Sequence, residues 1–403
     1  MRIGMMVDIY KPHVSGVTNH IALNKKYMEA AGHEVFIFTF GGEDFQDDES
    51  NVIRSEGISF DVPQVEGRVN LNFKYNRRAR KLLETMDVVH AHHPFISGIL
   101  AMRYCRPRGI PIVFTNHTRY DLYYQAYLPM LPENLGERFL HMYMPYFCKS
   151  CDLVIVPSAS IRQVLQSFGV FSELEVVPNG VDLSQIRINL DAMDRSAAGF
   201  SEQDVVCIFV GRLGPEKNIP LLLKAFSEAT KTHEHGRLLL VGDGPDRKKF
   251  ESEAATMGMA DKVLFTGSVP YENMPGYLGM ADMFVTASVT EVHPLTVMEA
   301  MAAGLPVLGI HSPGIADTVK DGVTGRLSNG QPEDFRAKLS KMFEDVEARK
   351  KMGQQAFQDA NDFSIEITSH LLLEKYRELI VMRERGELKK TGALDKLLSR
   401  LRP

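Results

Sequence analysis

Residues 282–288 (D-M-F-V-T-A-S) make a short apolar run, the pattern of a parallel strand buried on both faces. Residues 305–307 (L-P-V) begin the next strand. Between them, residues 291–304 are E-V-H-P-L-T-V-M-E-A-M-A-A-G, a loop running into a helix. Pro294 suits the first turn, where a missing N–H costs nothing. Glu291 then sits in the loop above the strand end, and Glu299 more than one turn inside the helix. Backbone N–H groups near Leu295 and Thr296 point into the crevice above the sheet. There the helix dipole and the unpaired donors both favour a phosphate. Two carboxylates flanking an anion-binding helix start suit a ligand with hydroxyls on both sides of a phosphate, such as a nucleotide-sugar. The same pair also fits a helix cap and a solvated helix residue, and the rest of the chain has to decide.

At 403 residues the chain is long for one core, and two domains are expected. A net charge of -5 does not suggest a nucleic-acid partner. Four cysteines and an opening that reads as a strand rather than a secretory leader suggest a reducing, cytoplasmic compartment. No apolar run approaches the length of a membrane span. Cys148 and Cys151 form a C-x-x-C, but no second pair accompanies it, so buried structural cysteines are expected rather than a redox or zinc site.

Taken in order, residues 1–8 read as a strand and 9–17 as a loop holding Pro12, Ser15 and Gly16. A helix follows from about Thr18 to Ala31, closed by Gly32, and 33–40 is the second strand. This is a β-α-β unit of a doubly wound sheet; without G-x-G-x-x-G it does not suggest a dinucleotide dehydrogenase. Residues 87–92, 110–116, 152–158 and 174–177 continue as strands and place His90, His92, His93, His117 and Ser158 near carboxyl ends, where open α/β sheets bind ligands. Residues 182–202 lose the apolar rhythm and read as a linker. A second series then runs through strands at 205–211, 237–241, 262–266, 282–288 and 306–310. From 331 onward the chain reads as helix, strongly amphipathic at 371–383, with a polar, basic end at 389–403.

Arg212 and Lys217, in G-R-L-G-P-E-K-N between a strand and a helix, would project beside a bound diphosphate. No D-x-D is present to hold a divalent metal, so two fixed cations would take up the charge on a departing diphosphate. The alternative is a pair of surface basics near a turn. A metal cluster of His117 with its neighbours His90, His92 and His93 is conceivable, and is disfavoured because the cationic pair already supplies the charge.

The set G-R-L-G-P-E-K-N (211–218), V-G-D-G-P (241–245), E-x7-E (291 and 299) and P-N-G-V-D (178–182) resembles the retaining glycosyltransferases of sequence family four. The resemblance spans nearly the whole chain. It implies the α/β GT-B fold, two Rossmann-like doubly wound domains facing a central cleft. The expected domains are 1–185 for the acceptor, 186–365 for the nucleotide-sugar, and a C-terminal helix at 366–403 returning to the first. Carried over by position, Arg212 and Lys217 bind the donor diphosphate, Glu299 the ribose hydroxyls, and Glu291 the donor sugar near its anomeric centre. The backbone at Leu295 and Thr296 makes the phosphate contact, and His117 lies beside the reacting sugar. Gly16 matches the second glycine of the N-terminal loop, with Ser15 standing where the first glycine is usual. His293 stands where many relatives carry glycine or an aromatic residue, and the resemblance gives it no role.

The implied reaction is a metal-independent, retaining transfer of a hexose from a UDP-sugar, UDP-glucose first, by front-face displacement. No metal and no cofactor are expected. Residues 116–127 (N-H-T-R-Y-D-L-Y-Y-Q-A-Y), together with 288–304, are similar to the lipid-directed diacylglycerol glucosyltransferase branch. The four tyrosines of that stretch fit core packing equally well. Rival readings are a soluble small-molecule acceptor, a nucleotide-sugar 2-epimerase, and a non-catalytic sensor. Residues 72–84 read as a basic amphipathic helix in which Lys74, Arg77, Arg78, Arg80 and Lys81 would meet anionic lipid, with Phe73, Leu82 and Leu83 as apolar contacts. The expected location is cytoplasmic and peripheral, at the inner face of the cell membrane.

Overall fold

Strand Arg2–Met6 pairs in parallel with Glu34–Phe40 on one side and Val88–Ala91 on the other. In this computed structural model, which describes residues 1–41, 47–61, 68–122 and 133–389, that triplet is the middle of a seven-stranded sheet. Its order is Val52–Ser55, Glu34–Phe40, Arg2–Met6, Val88–Ala91, Ile112–Thr115, Leu153–Val156, Leu174–Val176, parallel throughout. A six-stranded parallel sheet follows, ordered Val263–Gly267, Gly236–Val241, Val205–Val210, Met283–Val285, Val307–Ile310, Gly325–Ser328. In each sheet the earliest strand lies inside, and sequence order runs outward from it in both directions. The crevice where the direction reverses is the place such sheets bind ligands.

The sheets belong to two compact units. Among the described residues one holds 1–121, 133–180 and 365–389, and the other 122 and 181–364. Alternation along Val205–Val210 shows why its strand is apolar throughout: Val206, Ile208 and Val210 enter one core cluster while Cys207 and Phe209 enter another. Burying each such side chain contributes about 1.5–3 kcal/mol. Helix Ile365–Glu384 packs on the first sheet, with Leu372, Leu373, Tyr376 and Leu379 in one cluster with Ile3, Met5 and Val88. Ser369 Oγ of that helix donates to Asn24 Oδ1 at 2.9 Å.

Three expectations are corrected. Residues 182–202 are no linker. Helix Leu183–Ile188, capped by Asp182 Oδ1, leads into two 3₁₀ turns, and Leu183, Ile186 and Phe200 are buried in the core of the second unit. Those apolar residues are too sparse and the helix too short to leave a rhythm. The basic helix is only Arg77–Leu83, started by the Asn76 Oδ1 cap on Ala79 N at 2.9 Å, so Lys74 and Phe73 precede it. Leu83 is buried and lost to any membrane contact, whereas Phe73 is 69% exposed. Two edge strands, Val52–Ser55 and Gly325–Ser328, and the hairpin Ile58–Asp61 with Arg68–Leu71 also went unread.

Candidate active site

The loops leaving strands Val205–Val210 and Met283–Val285 rise at the switch point of the second sheet. The first carries Arg212 and Lys217, the second Glu291 and the start of helix Leu295–Ala302. The V-G-D-G-P segment braces the first loop: Leu213 N donates to Asp243 O at 2.8 Å and Asp246 N to Leu213 O at 3.1 Å. Gly242 is required there, because its φ is +137° and an added Cβ would lie 2.0 Å from Gly211 O.

Lys217 Nζ donates to Glu291 Oε1 at 2.7 Å, joining the two loops. Burial pushes the Glu291 carboxyl up, but the Lys217 ammonium and hydrogen bonds from Lys217 and Ser288 outweigh it and hold the group below its ordinary value. Glu291 is therefore ionised at neutral pH. Arg212 pairs with Glu216 Oε1 at 2.8 Å, and Gly214 leaves room for that carboxylate, since a Cβ there would lie 2.5 Å from Glu216 Oε2. No side-chain hydrogen bond caps helix Leu295–Ala302, so the first-turn amides, at Leu295 and Thr296, have no partner within the helix. Glu299, 4% exposed, accepts from the Tyr271 hydroxyl at 2.9 Å. Burial raises its carboxyl to about 7, with the Tyr271 hydrogen bond opposing the rise. His293 is buried and packs edge-on to Phe363 at 5.3 Å. Its imidazole is lowered to about 4 by burial, against the opposing charge of Asp317.

The first sheet gathers imidazoles at its own switch point. His92 follows strand Val88–Ala91, His117 follows Ile112–Thr115, and His20 projects from helix Gly16–Ala30. His92 Nδ1 and His117 Nε2 are 2.9 Å apart, one donating to the other, and their rings stack at 5.2 Å. His20 meets the His117 ring edge-on at 4.9 Å. His90 stacks on His92 at 4.2 Å, its own nitrogens held by the Tyr376 hydroxyl at 2.6 Å and Thr115 Oγ1 at 2.7 Å. Burial pushes His90 down to about 3 and His92 and His117 well below the ordinary imidazole range, with neighbouring histidines adding to the effect. All three are neutral at physiological pH. His93 stays apart, its Nδ1 accepting from Asp8 N at 3.2 Å.

Ser15 caps helix Gly16–Ala30 through a capping box with Thr18, which accounts for serine where the resemblance has glycine. A Cβ at Gly16 would meet nothing within 4 Å, so protein packing does not demand the glycine. Cys148 and Cys151 are buried free thiols, both pushed up by burial, Cys148 to about 12; they are inert core residues. Tyr120 packs edge-on to Phe95 at 5.2 Å. Tyr123, Tyr124 and Tyr127 lie outside the described residues. Arg77, Arg78, Arg80 and Lys81 are exposed along the short helix, and Lys74 is exposed just before it.

Sequence reasoning overlooked four participants: Glu216, Ser288, Tyr271 and His20. Glu216 carried a usable signal, lying four residues after Arg212 on a loop that turns back on itself. Ser288 lies three residues before Glu291 on the same loop, while Tyr271 and His20 meet their partners only through long-range folding.

A family model described as Glycosyltransferase Family 4 matches residues 14–185, and one described as Glycosyl transferases group 1 matches residues 192–359. The chain is 31% identical over 349 residues to an alpha-monoglucosyldiacylglycerol synthase of Streptococcus pneumoniae, covering 82% of this chain and 76% of that one. It is 30% identical over 344 residues to an alpha-monoglucosyldiacylglycerol synthase of Acholeplasma laidlawii, with 83% and 86% covered. Among solved structures, Anabaena HepE in complex with UDP matches at a TM-score of 0.75 and 16% identity, over 94% of this chain and 100% of that one, a likeness of fold.

Proposed function

This chain belongs to glycosyltransferase family 4, and on that premise we propose a metal-independent retaining enzyme that moves glucose from UDP-glucose to a hydroxyl of a membrane lipid such as diacylglycerol. Its two Rossmann-like parallel sheets are those of the GT-B fold. The observation that carries the reading is the convergence at one switch point of Lys217, ionised Glu291, the helix start at Leu295 and buried Glu299.

In this reading the helix amides and the Arg212 and Lys217 cations receive the diphosphate, whose negative charge grows as the bond to the sugar breaks. Glu299 accepts from the ribose hydroxyls, and Glu291 from hydroxyls of the sugar. His117 is assigned to the reacting sugar by family correspondence. The bond from the anomeric carbon to the phosphate oxygen breaks on the face where the bond to the acceptor oxygen forms. Because the new bond forms on the face the old one leaves, configuration is kept, and the departing phosphate oxygen takes the acceptor's proton. The names of the two relatives print an alpha-linked glucosyl product, and from UDP-glucose, whose glucose is itself α-linked, such a product corresponds to retention. Those names also supply the lipid class. The exposed basic residues at 74–81 favour attachment to an anionic surface, and among the described residues no helix is long and apolar enough to cross a membrane.

The test is transfer from labelled UDP-glucose to diacylglycerol in vesicles, in chelator, with the product's anomeric configuration read by NMR. The expected result is an α-glucolipid and one UDP per transfer. Donor epimer formed without acceptor, or transfer that needs a divalent ion, would overturn the proposal.

A further inference from the structure

We infer that His20, His92 and His117 form a binding site for one borderline divalent transition-metal ion, Zn²⁺ in the first place, and that its occupation inhibits the enzyme. The site needs only the first unit. The inhibitory half rests on the role proposed for His117.

One ring nitrogen from each of the three histidines lies within 4.8 Å of one from each of the others. Tetrahedral zinc with nitrogen ligands at about 2.0–2.1 Å sets them about 3.4 Å apart, so small side-chain rotations close the set. The neighbours sort themselves out of it. His90 has both nitrogens engaged by Tyr376 and Thr115, and His93 Nδ1 takes the Asp8 amide. His92, by contrast, is fully buried, and its Nε2 has no hydrogen-bond partner among the described residues. A buried polar nitrogen left so is costly, and a ligand is one way to satisfy the residue.

Three imidazoles without a carboxylate select zinc, copper or nickel over magnesium, manganese or calcium. Three protein ligands leave a fourth position open. Supporting contacts of the kind that orient metal ligands are present: the anchored His90 ring stacks on His92, and Asn24, fixed by Ser369, lies 3.3 Å from His20 Nε2. The ion is no cofactor of the transfer. It occupies the nitrogen of His117 and puts a double positive charge where the transfer employs a neutral ring.

The experiment is competition between the full-length protein and a chromogenic zinc indicator, for the wild type, His20→Gln and His93→Gln. Thermal melting checks that each variant is folded. One Zn²⁺ per wild-type chain is expected, with affinity at least about tenfold weaker in His20→Gln and unchanged in His93→Gln. Visible absorption of the Co²⁺-loaded protein should carry the strong bands of a four-coordinate ion in the wild type and lose them in His20→Gln. Equal zinc affinity in the wild type and His20→Gln, or an equal loss in both variants, overturns the site. Zinc should also stop glucosyl transfer by the wild type, and chelator restore it. Binding that depends on His20 but leaves transfer untouched would keep the metal site and refute the inhibition together with the placement of His117.

Discussion

At the end of strand Val205–Val210 the chain sets charges in pairs, Arg212 with Glu216 and Lys217 with Glu291. At the end of strand Val88–Ala91 it sets uncharged rings in a stack, His90 on His92 and His92 on His117. The strand order around both switch points is the same, so topology does not explain the difference. The proposed reaction does. In that reading a diphosphate brings charge that must be met by cations and helix amides already in place. An anomeric carbon and a neutral hydroxyl would instead need shape and hydrogen bonds, which a neutral imidazole supplies. The contrast shows one scaffold hosting opposite electrostatics, because the residues at and just beyond the strand ends, not the strand order, set the charge.

The contrast breaks most visibly at the cations. Arg212→Ala or Lys217→Ala should each lower turnover by about 10²–10³, the scale for losing a preorganised contact to a developing anion. Chelator should change nothing in the wild type. Activity that dies with chelator and returns with a divalent ion would move the charge-bearing role from these side chains to a metal.

Next come the residues at the sugar. Glu291→Ala should lower kcat by about 10–100-fold, as for losing a charged hydrogen bond of about 1.5–3 kcal/mol, and His117→Ala should likewise act on kcat more than on the donor KM. Glu299→Ala should act chiefly on donor KM. Equal, mild effects at all three positions would mean that the two regions do not divide the work.

A smaller effect sharpens the contrast through pH. The Glu299 carboxyl stands at about 7 against an ordinary 4.5 because it is buried. As pH falls through about 7 it takes a proton and loses acceptor capacity, so donor KM should rise several-fold between about pH 8 and 6. Glu299→Gln should flatten that profile. The stability sign is the reverse. A raised carboxyl leaves the fold unpenalised below about 4.5 and destabilises it as pH rises through about 7. Glu299→Gln should therefore raise the Tm more at pH 8 than at pH 5. A KM profile unchanged by the substitution would remove Glu299 from the donor.

The mildest effect on chemistry belongs to the basic residues of the first unit. Replacing Lys74, Arg77, Arg78, Arg80 and Lys81 by Gln should leave binding of soluble UDP unchanged. Sedimentation with anionic vesicles at low salt should weaken, since each basic residue near the surface contributes about 1 kcal/mol. Association indifferent to lipid charge, salt and the five substitutions would contradict a lipid-facing role.

Much of this is legible in the sequence alone. Alternating apolar runs and helical stretches gave two parallel sheets, because fully buried strands such as Val205–Val210 are apolar at every position. Strand ends then located Glu291, Lys217, His92 and His117. The edge strands Val52–Ser55 (V-I-R-S) and Gly325–Ser328 (G-R-L-S) were missed because they carry charged residues and make no apolar run. His20 sits in T-N-H-I, where nothing local marks it, and it joins His92 and His117 only when its helix packs beside the sheet. Tyr271 reaches Glu299 across 28 residues of chain, and no spacing rule announces such a contact.

The division of labour is tested most directly by calorimetric titration of UDP into the protein in chelator, comparing the wild type with Lys217→Ala and His117→Ala. The expected result is binding to the wild type and to His117→Ala with similar affinity, and binding weakened at least about tenfold by Lys217→Ala. Undiminished binding to Lys217→Ala, or loss in His117→Ala, would contradict the placement of the diphosphate on the second sheet's switch point.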